Sequence, residues 1–218
     1  MKAILISDHA KWCALMMNGE KTVEVRKGTA LYKAIQKLID EYGYADIYVY
    51  CAKDKPNLWL PYEYDCFELD EASQPYLSDK PIIDIDTKMN SKVIFKFRCY
   101  KVEEIEREEQ IKFINFDDYI SMSSNTTYEE IWEKSCLSPE ELNNYLQDKN
   151  GCAIHISDLE IFDKPKELSE FKHNVKVHKC STCCEYPCEE KCSFPTYVNF
   201  STPLTKAPQS WQFIEVGE

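Results

Sequence analysis

No run of apolar residues in this chain approaches the roughly 18 that a helix needs to cross a bilayer, so nothing in it reads as a membrane span. The opening stretch does not read as a secretory leader either. The opening MKAILISDHAKW offers Lys2 and five apolar residues before Ser7 and Asp8 intervene, and no small-residue cleavage site follows. The expectation is a cytoplasmic protein with no membrane partner, whose eleven cysteines stay reduced and form no disulfide framework. A basic excess is absent too: 26 lysines and arginines stand against 38 aspartates and glutamates, a net charge of −12. Phosphate neutralisation supplies most of the affinity for undiscriminated nucleic acid, so this balance disfavours non-specific duplex DNA but leaves room for a local basic cleft. There is no Gly-rich phosphate loop, no internal repeat and no low-complexity tract, which argues against a doubly wound nucleotide fold.

What is present is a folding chain, 44% hydrophobic and 13% aromatic, long enough at 218 residues for one domain with a full core. KAILIS (2–7) reads as a strand, with Asp8 as the N-cap of a short helix carrying Trp12, Leu15 and Met16 on one face and stopping at Gly19. KTVEVRK alternates with period two. A helix over 30–42 follows, with Leu31, Ala34, Ile35, Leu38, Ile39 and Tyr42 in one stripe, and then a strand over 46–52. Residues 53–90, rich in proline and acid, read as a surface insertion. KVIFKFRCYKV (92–102) is a strand, and EEIEREE (103–109) its solvated continuation. Capping boxes at Thr127/Glu130 and Ser138/Glu141 announce two helices. CAIHISDLEIF (152–162) and PQSWQFIEV (208–216) close the chain as strands. The pattern is that of a small mixed α+β barrel with helices at its ends.

The stretch NGEKTVEVRK, Asn18 to Lys27, holds the most chemistry. Strand parity puts Val23 and Val25 on one face, and Glu24 with Arg26 on the other. On an exterior face that is a surface ion pair worth about 0–1 kcal/mol. Inside a cleft it is a guanidinium fork beside a carboxylate, able to read the edge of a base, with Lys21 at the rim.

GEKTVEVR matches the G-x-K-x-x-E-x-R signature of the ASCH domain, a relative of the PUA RNA-binding barrel. KAILIS, KWC, YVYCAK, IHISDLEIFDKPKELSEF and APQSW resemble, in order, the blocks of ASCH proteins frequent in phages and prophages. The chain departs from them in the long helix after the signature strand and in the elaborations over about 53–90 and 173–206. The resemblance implies one PUA-like β-barrel domain over 1–218, with short helices packed around it, a Cys-rich loop, and a cleft holding Lys21, Glu24 and Arg26. It also implies recognition of RNA, a nucleotide or a modified nucleoside. Ser7, His155 and Trp211 join as ligand-binding candidates, and Trp12, Trp211 and Tyr50 as stacking faces.

Some relatives are amidohydrolases of acetylated cytidine and one resembles a ribonuclease, which makes Lys21 and Glu24 catalytic candidates. The amidohydrolases place Thr where this chain has Glu24, so that activity does not transfer directly. A phage-encoded protein–protein adaptor using the acidic surface 63–71 is the third reading. No organic cofactor is implied.

Five cysteines crowd into HKCSTCCEYPCEEKC. Cys180, Cys183, Cys188 and Cys192 have the spacing C-x2-C-x4-C-x3-C, which suits a tetrahedral, structural Zn²⁺ site, with Cys184 and His178 as alternates. Elemental analysis of tag-free protein is expected to find about one zinc per chain, with chelation disordering this loop locally. Protein purified without any zinc refutes the site.

Overall fold

A computed structural model describes residues 2–53, 57–59, 68–70, 88–107, 120–122, 128–179 and 196–216. In chain order the elements are β1 (Lys2–Asp8), α1 (Ala10–Met17), β2 (Val23–Lys27), α2 (Thr29–Tyr42), β3 (Ala45–Cys51), β4 (Asn57–Trp59), β5 (Glu68–Asp70), β6 (Val93–Cys99) and β7 (Val102–Arg107). There follow β8 (Ile120–Met122), α3 (Tyr128–Ser135), α4 (Pro139–Leu146), β9 (Gly151–His155), β10 (Ser157–Lys166), β11 (Lys172–Lys179), β12 (Thr196–Pro203) and β13 (Trp211–Glu215).

The molecule is α+β. Its large mixed sheet runs β10-β6-β3-β1-β13-β11-β12, with β1 and β3 parallel. The unbroken apolar run in β1 marks a strand covered on both faces. Ile4, Ile6, Ile47, Val49, Phe95 and Phe97 pack with Cys13, Met16, Leu31, Ile35 and Leu38 of α1 and α2. Ala3, Leu5, Tyr48, Val93 and Ile214 form a second layer with Phe162, Phe171 and Leu204. The smaller sheet, β2-β9-β7-β8, is antiparallel. Its Val23, Val25, Ile105 and Ala153 pack on Ile131 of α3 and on Leu142 and Leu146 of α4.

One corner joins the two sheets. The β6–β10 and β7–β9 ladders are halves of a single antiparallel pairing that bends at Tyr100–Lys101 and at Ile156. There the His155 N–H donates to the Lys101 carbonyl at 3.1 Å, and the Ile156 N–H to the Thr22 carbonyl at 3.0 Å. Residues 152–162 are therefore two strands in two sheets, not one. Bending a ladder in this way is how barrel-like and orthogonally packed sheets turn.

Several expectations shift for identifiable reasons. His9, not Asp8, is the N-cap of α1, because Asp8 is still the last residue of β1. The buried side of α1 carries Cys13, Ala14 and Met17 beside Met16, leaving Trp12 and Leu15 on its flank. Tyr42 lies beyond the buried stripe of α2 and is exposed, while Gly43 closes that helix at φ +83°, donating to the Ile39 carbonyl. Glu103 is buried inside a stretch read as solvated. Leu58 and Met89, near the ends of the 53–90 segment, belong to the core. Most of that segment lies outside the described residues, including 63–67 of the acidic stretch; so do Thr127 and Cys180, Cys183, Cys184, Cys188 and Cys192. Among the described residues no helix is long and apolar enough to cross a membrane.

The Ser138 capping box is formed as read: Ser138 Oγ accepts the Glu141 N–H at 3.1 Å, and Glu141 Oε2 accepts the Ser138 N–H at 2.8 Å. Ser138→Ala is expected to cost about 1 kcal/mol in urea unfolding. An unchanged midpoint means that packing alone fixes the start of α4.

Candidate functional site

Strand parity sets up the site. Val23 and Val25 enter the small-sheet core, so Glu24 and Arg26 take the opposite face, and that face is buried too. Glu24 is 4% exposed, Arg26 7%, Lys21 just before the strand 3%, and Asp8 at the end of β1 6%. Ionic groups this deep are strongly penalised unless paired. They form a chain of alternating charge. Lys21 Nζ lies 3.2 Å from Glu24 Oε2, Glu24 Oε1 2.7 Å from Arg26 Nε, and Arg26 Nη2 3.2 Å from Asp8 Oδ2. Lys21 Nζ also donates to the Ser135 carbonyl at 2.8 Å, and Asp8 Oδ1 accepts the His9 N–H at 2.8 Å.

Position in this chain decides each titration. Burial pushes the Glu24 carboxyl up, but it lies between two cations, Lys21 and Arg26, and they hold it below the usual carboxylate value. Asp8 touches one cation only, at the end of the chain. Burial, reinforced by Glu24, overcomes the pull of Arg26 and Lys21 and raises Asp8 to about 7. Burial opposes the charge on Arg26, yet Glu24 and Asp8 raise its pKa further. Three atoms here lie at ion-pair distance without hydrogen-bond alignment: Asp8 Oδ2, Arg26 Nε and Arg26 Nη2.

This chain of charges forms the floor of a cleft of about 1150 Å³ between the ends of β1 and β3, strand β2, α4 and the segment 207–210. Aromatic lining comes from Trp12, Tyr50 and Tyr145. Ser7 holds the 207–210 wall in place, donating its Oγ–H to the Pro208 carbonyl at 2.8 Å and its N–H to the Ser210 carbonyl at 3.1 Å.

Of the residues expected at the site, the cleft gathers Ser7, Lys21, Glu24, Arg26, Trp12 and Tyr50. His155 and Trp211 are not in its lining. His155 Nε2 sits 2.7 Å from Glu103 Oε2, whose other oxygen is 2.8 Å from Lys101 Nζ, so this group ties the sheet corner. Trp211 pairs with Ile6 across the large sheet and packs edge-on to Phe213. Sequence reasoning missed Asp8 and one face of α4 as parts of the site. Asp8 was assigned to a cap. Glu141, Asn144 and Tyr145 share an i, i+3, i+4 face of α4 that does line the cleft, a signal present in the sequence. Among the described residues, no group of three or more His, Cys, Asp or Glu side chains is arranged to hold a metal.

Protein-family models, curated proteins and solved structures were compared with the chain, and none matches.

The raised Asp8 sets a sign for stability. Unfolded, it releases its proton near 3.8; folded, near 7. Between those values the unfolded chain is deprotonated at this position and the folded protein is not, so its contribution to stability falls as pH rises through that window. Asp8→Asn is expected to gain melting temperature relative to the parent from about pH 5 to about pH 8. A difference that stays constant with pH contradicts the assignment.

Proposed function

We propose that the chain is an ASCH-type, PUA-like domain that recognises RNA or a nucleotide in the cleft around Lys21, Glu24 and Arg26. The observation that carries this reading is the buried ionic chain at the floor of a roomy cleft, where the signature residues meet. The α+β architecture, with two sheets joined at a bent corner, is consistent with a barrel of the PUA kind.

The distribution of charge supports a phosphorylated ligand. Lys27, Lys53 and Lys149 line the cleft above the floor, with Glu141 as their acidic counterpart there. On a chain of net charge −12 this is a local basic surface. It suits a mononucleotide or one looped-out base better than a duplex, whose remaining phosphates would meet the acidic exterior. Trp12, Tyr50 and Tyr145 offer faces for a base, as in other readers of single-stranded RNA.

Recognition is favoured over amide hydrolysis by the position of Lys21. Its ammonium is held by the Ser135 carbonyl and Glu24, and lies 5.1 Å from the Trp12 ring centre. A cation engaged on those sides organises the floor more readily than it stabilises a developing oxyanion.

Titrating nucleoside monophosphates and a short fluorescent single-stranded RNA into the protein tests the reading. Trp12→Ala is expected to weaken binding by about 1–3 kcal/mol, the usual worth of a stacked base, and Lys53→Glu to weaken it and flatten its salt dependence. Affinity unchanged in both variants sinks the proposal.

A further inference from the structure

The cleft is long for a single base, and two of its rings stand at opposite ends of the floor. The Lys21 N–H donates to the Leu15 carbonyl at 3.0 Å, which ties the last turn of α1 to the entry of β2, and the Trp12 ring centre lies 5.1 Å from Lys21 Nζ. At the other end Tyr145 Oη accepts the N–H of Lys27, the last residue of β2, at 3.3 Å. Between them β2 covers about 13 Å at about 3.3 Å per residue, the length of about four nucleotides stacked at about 3.4 Å each. One base therefore cannot meet both rings. Trp12 is half-buried and Tyr145 is 42% exposed, whereas Tyr50, 8% exposed, serves as wall. A volume of about 1150 Å³ also exceeds the roughly 300–1,000 Å³ of pockets that enclose one small molecule.

We propose that the cleft holds a single-stranded RNA segment of about two to four nucleotides, with one base on Trp12, another on Tyr145 and the linking phosphates on Lys27, Lys53 and Lys149. These lysines line the cleft from three places: the end of β2, the segment after β3 and the segment before β9. A point charge on a flexible stem follows a backbone phosphate whatever base it carries. Aromatic faces spaced along a basic groove gather successive bases with little regard to sequence. Lys11, exposed on α1, lies 4.4 Å from the Trp12 ring centre. A base arriving on that face displaces the ammonium from a weak surface contact and leaves it to meet a phosphate. The inference rests on the RNA- or nucleotide-binding reading and narrows it to a strand.

Two separated platforms make affinity depend on ligand length in a particular way. A mononucleotide fills one platform and leaves the other in water. A strand long enough to reach both gains a second stacked base and the phosphates between. Beyond that length it gains little, because the chain carries a net charge of −12 and the phosphates outside the cleft meet no further lysines of the lining. Binding by charge alone would instead rise by equal increments with every added phosphate.

The test titrates adenosine 5′-monophosphate and 5′-phosphorylated oligoadenylates, from the dinucleotide through the tetranucleotide to the octanucleotide, into the full chain by calorimetry at fixed salt. Affinity is expected to gain about tenfold or more between the monophosphate and the tetranucleotide, the worth of a second stacked base, and to level off beyond it. Repeated at several salt concentrations, the slope of log affinity against log salt is expected to steepen by about 0.7 for each phosphate the lysines take up. Tyr145→Ala is expected to bring the tetranucleotide down towards monophosphate affinity while sparing the monophosphate, which takes the larger Trp12 face. Trp12→Ala is expected to weaken both. The length series on the parent reads the footprint without any variant. Equal affinity for monophosphate and tetranucleotide, a rise that continues in equal steps to the octanucleotide, or a tetranucleotide affinity untouched by Tyr145→Ala overturns the inference and leaves the cleft a mononucleotide site or a charged surface. Absence of binding by every member of the series removes the RNA- or nucleotide-binding reading, and this inference with it.

Discussion

The site depends on β2 being covered on both faces. An ordinary half-buried strand turns its polar side chains to water, where Glu24 and Arg26 would be a screened pair of little consequence. Here α3 and α4 cover the valine side, while α1 and the end of β1 close over the other. Glu24 and Arg26 thus leave water on the strand's second face, and their charges are retained by adding a partner at each end of the pair. Lys21 supplies one from the turn before β2, and Asp8 the other from a different strand. The linear order Lys21–Glu24–Arg26–Asp8 then gives the interior carboxylate two cations and the terminal one a single cation. That asymmetry makes one acid firmly ionised and the other responsive near neutrality.

How much of this was legible in the sequence follows from the range of the forces involved. Helices α2 and α4 and the inner strands could be placed, because apolar period, glycine stops and a capping box are local signals. The facing of Glu24 and Arg26 away from Val23 and Val25 was also local, a matter of parity. That both faces are buried was not, since it depends on elements more than a hundred residues away, such as Leu142 and Ser135. Asp8 was misread for the same reason: an acid just before a helix is a good cap, and only the β1–β2 contact shows Arg26 claiming it. His155 went the other way. Its alternation with Ile154 and Ile156 is real, but the chain turns a corner there, which gives Glu103 to His155 and takes the imidazole away from the cleft.

The corner also explains how a largely sheet-built protein forms a cleft at all. The two sheets share a bent ladder, and the cleft lies where β1 and β3 end and where β2, among the described residues, is an edge strand. Short elements fill the gap as walls: the N-terminal turn of α1, one face of α4, and the 207–210 segment held by Ser7. The helical walls carry Trp12 and Tyr145, while Asp8, Glu24 and Arg26 of the ionic floor sit on strands. Rigid strands suit the groups whose spacing matters, and loops and helix faces suit those that contribute area or charge.

Buried ion chains are poor stabilisers. Apolar side chains of similar volume in the same space are often neutral or favourable, by roughly 1–4 kcal/mol in comparable replacements. A hydrophobic filling would also leave no misaligned Arg26 donors and no raised Asp8 acid. At many other described positions local preference and global packing agree: Val23 and Val25 face a core, Leu31 and Leu38 line α2, Ser138 caps α4. The floor of the cleft is where they part, with four charges in a place that packing alone would fill with hydrocarbon. Such disagreement is expected where a surface is organised for something outside the chain. The form it takes here is a row of four buried, mutually paired charges at the floor of a cleft.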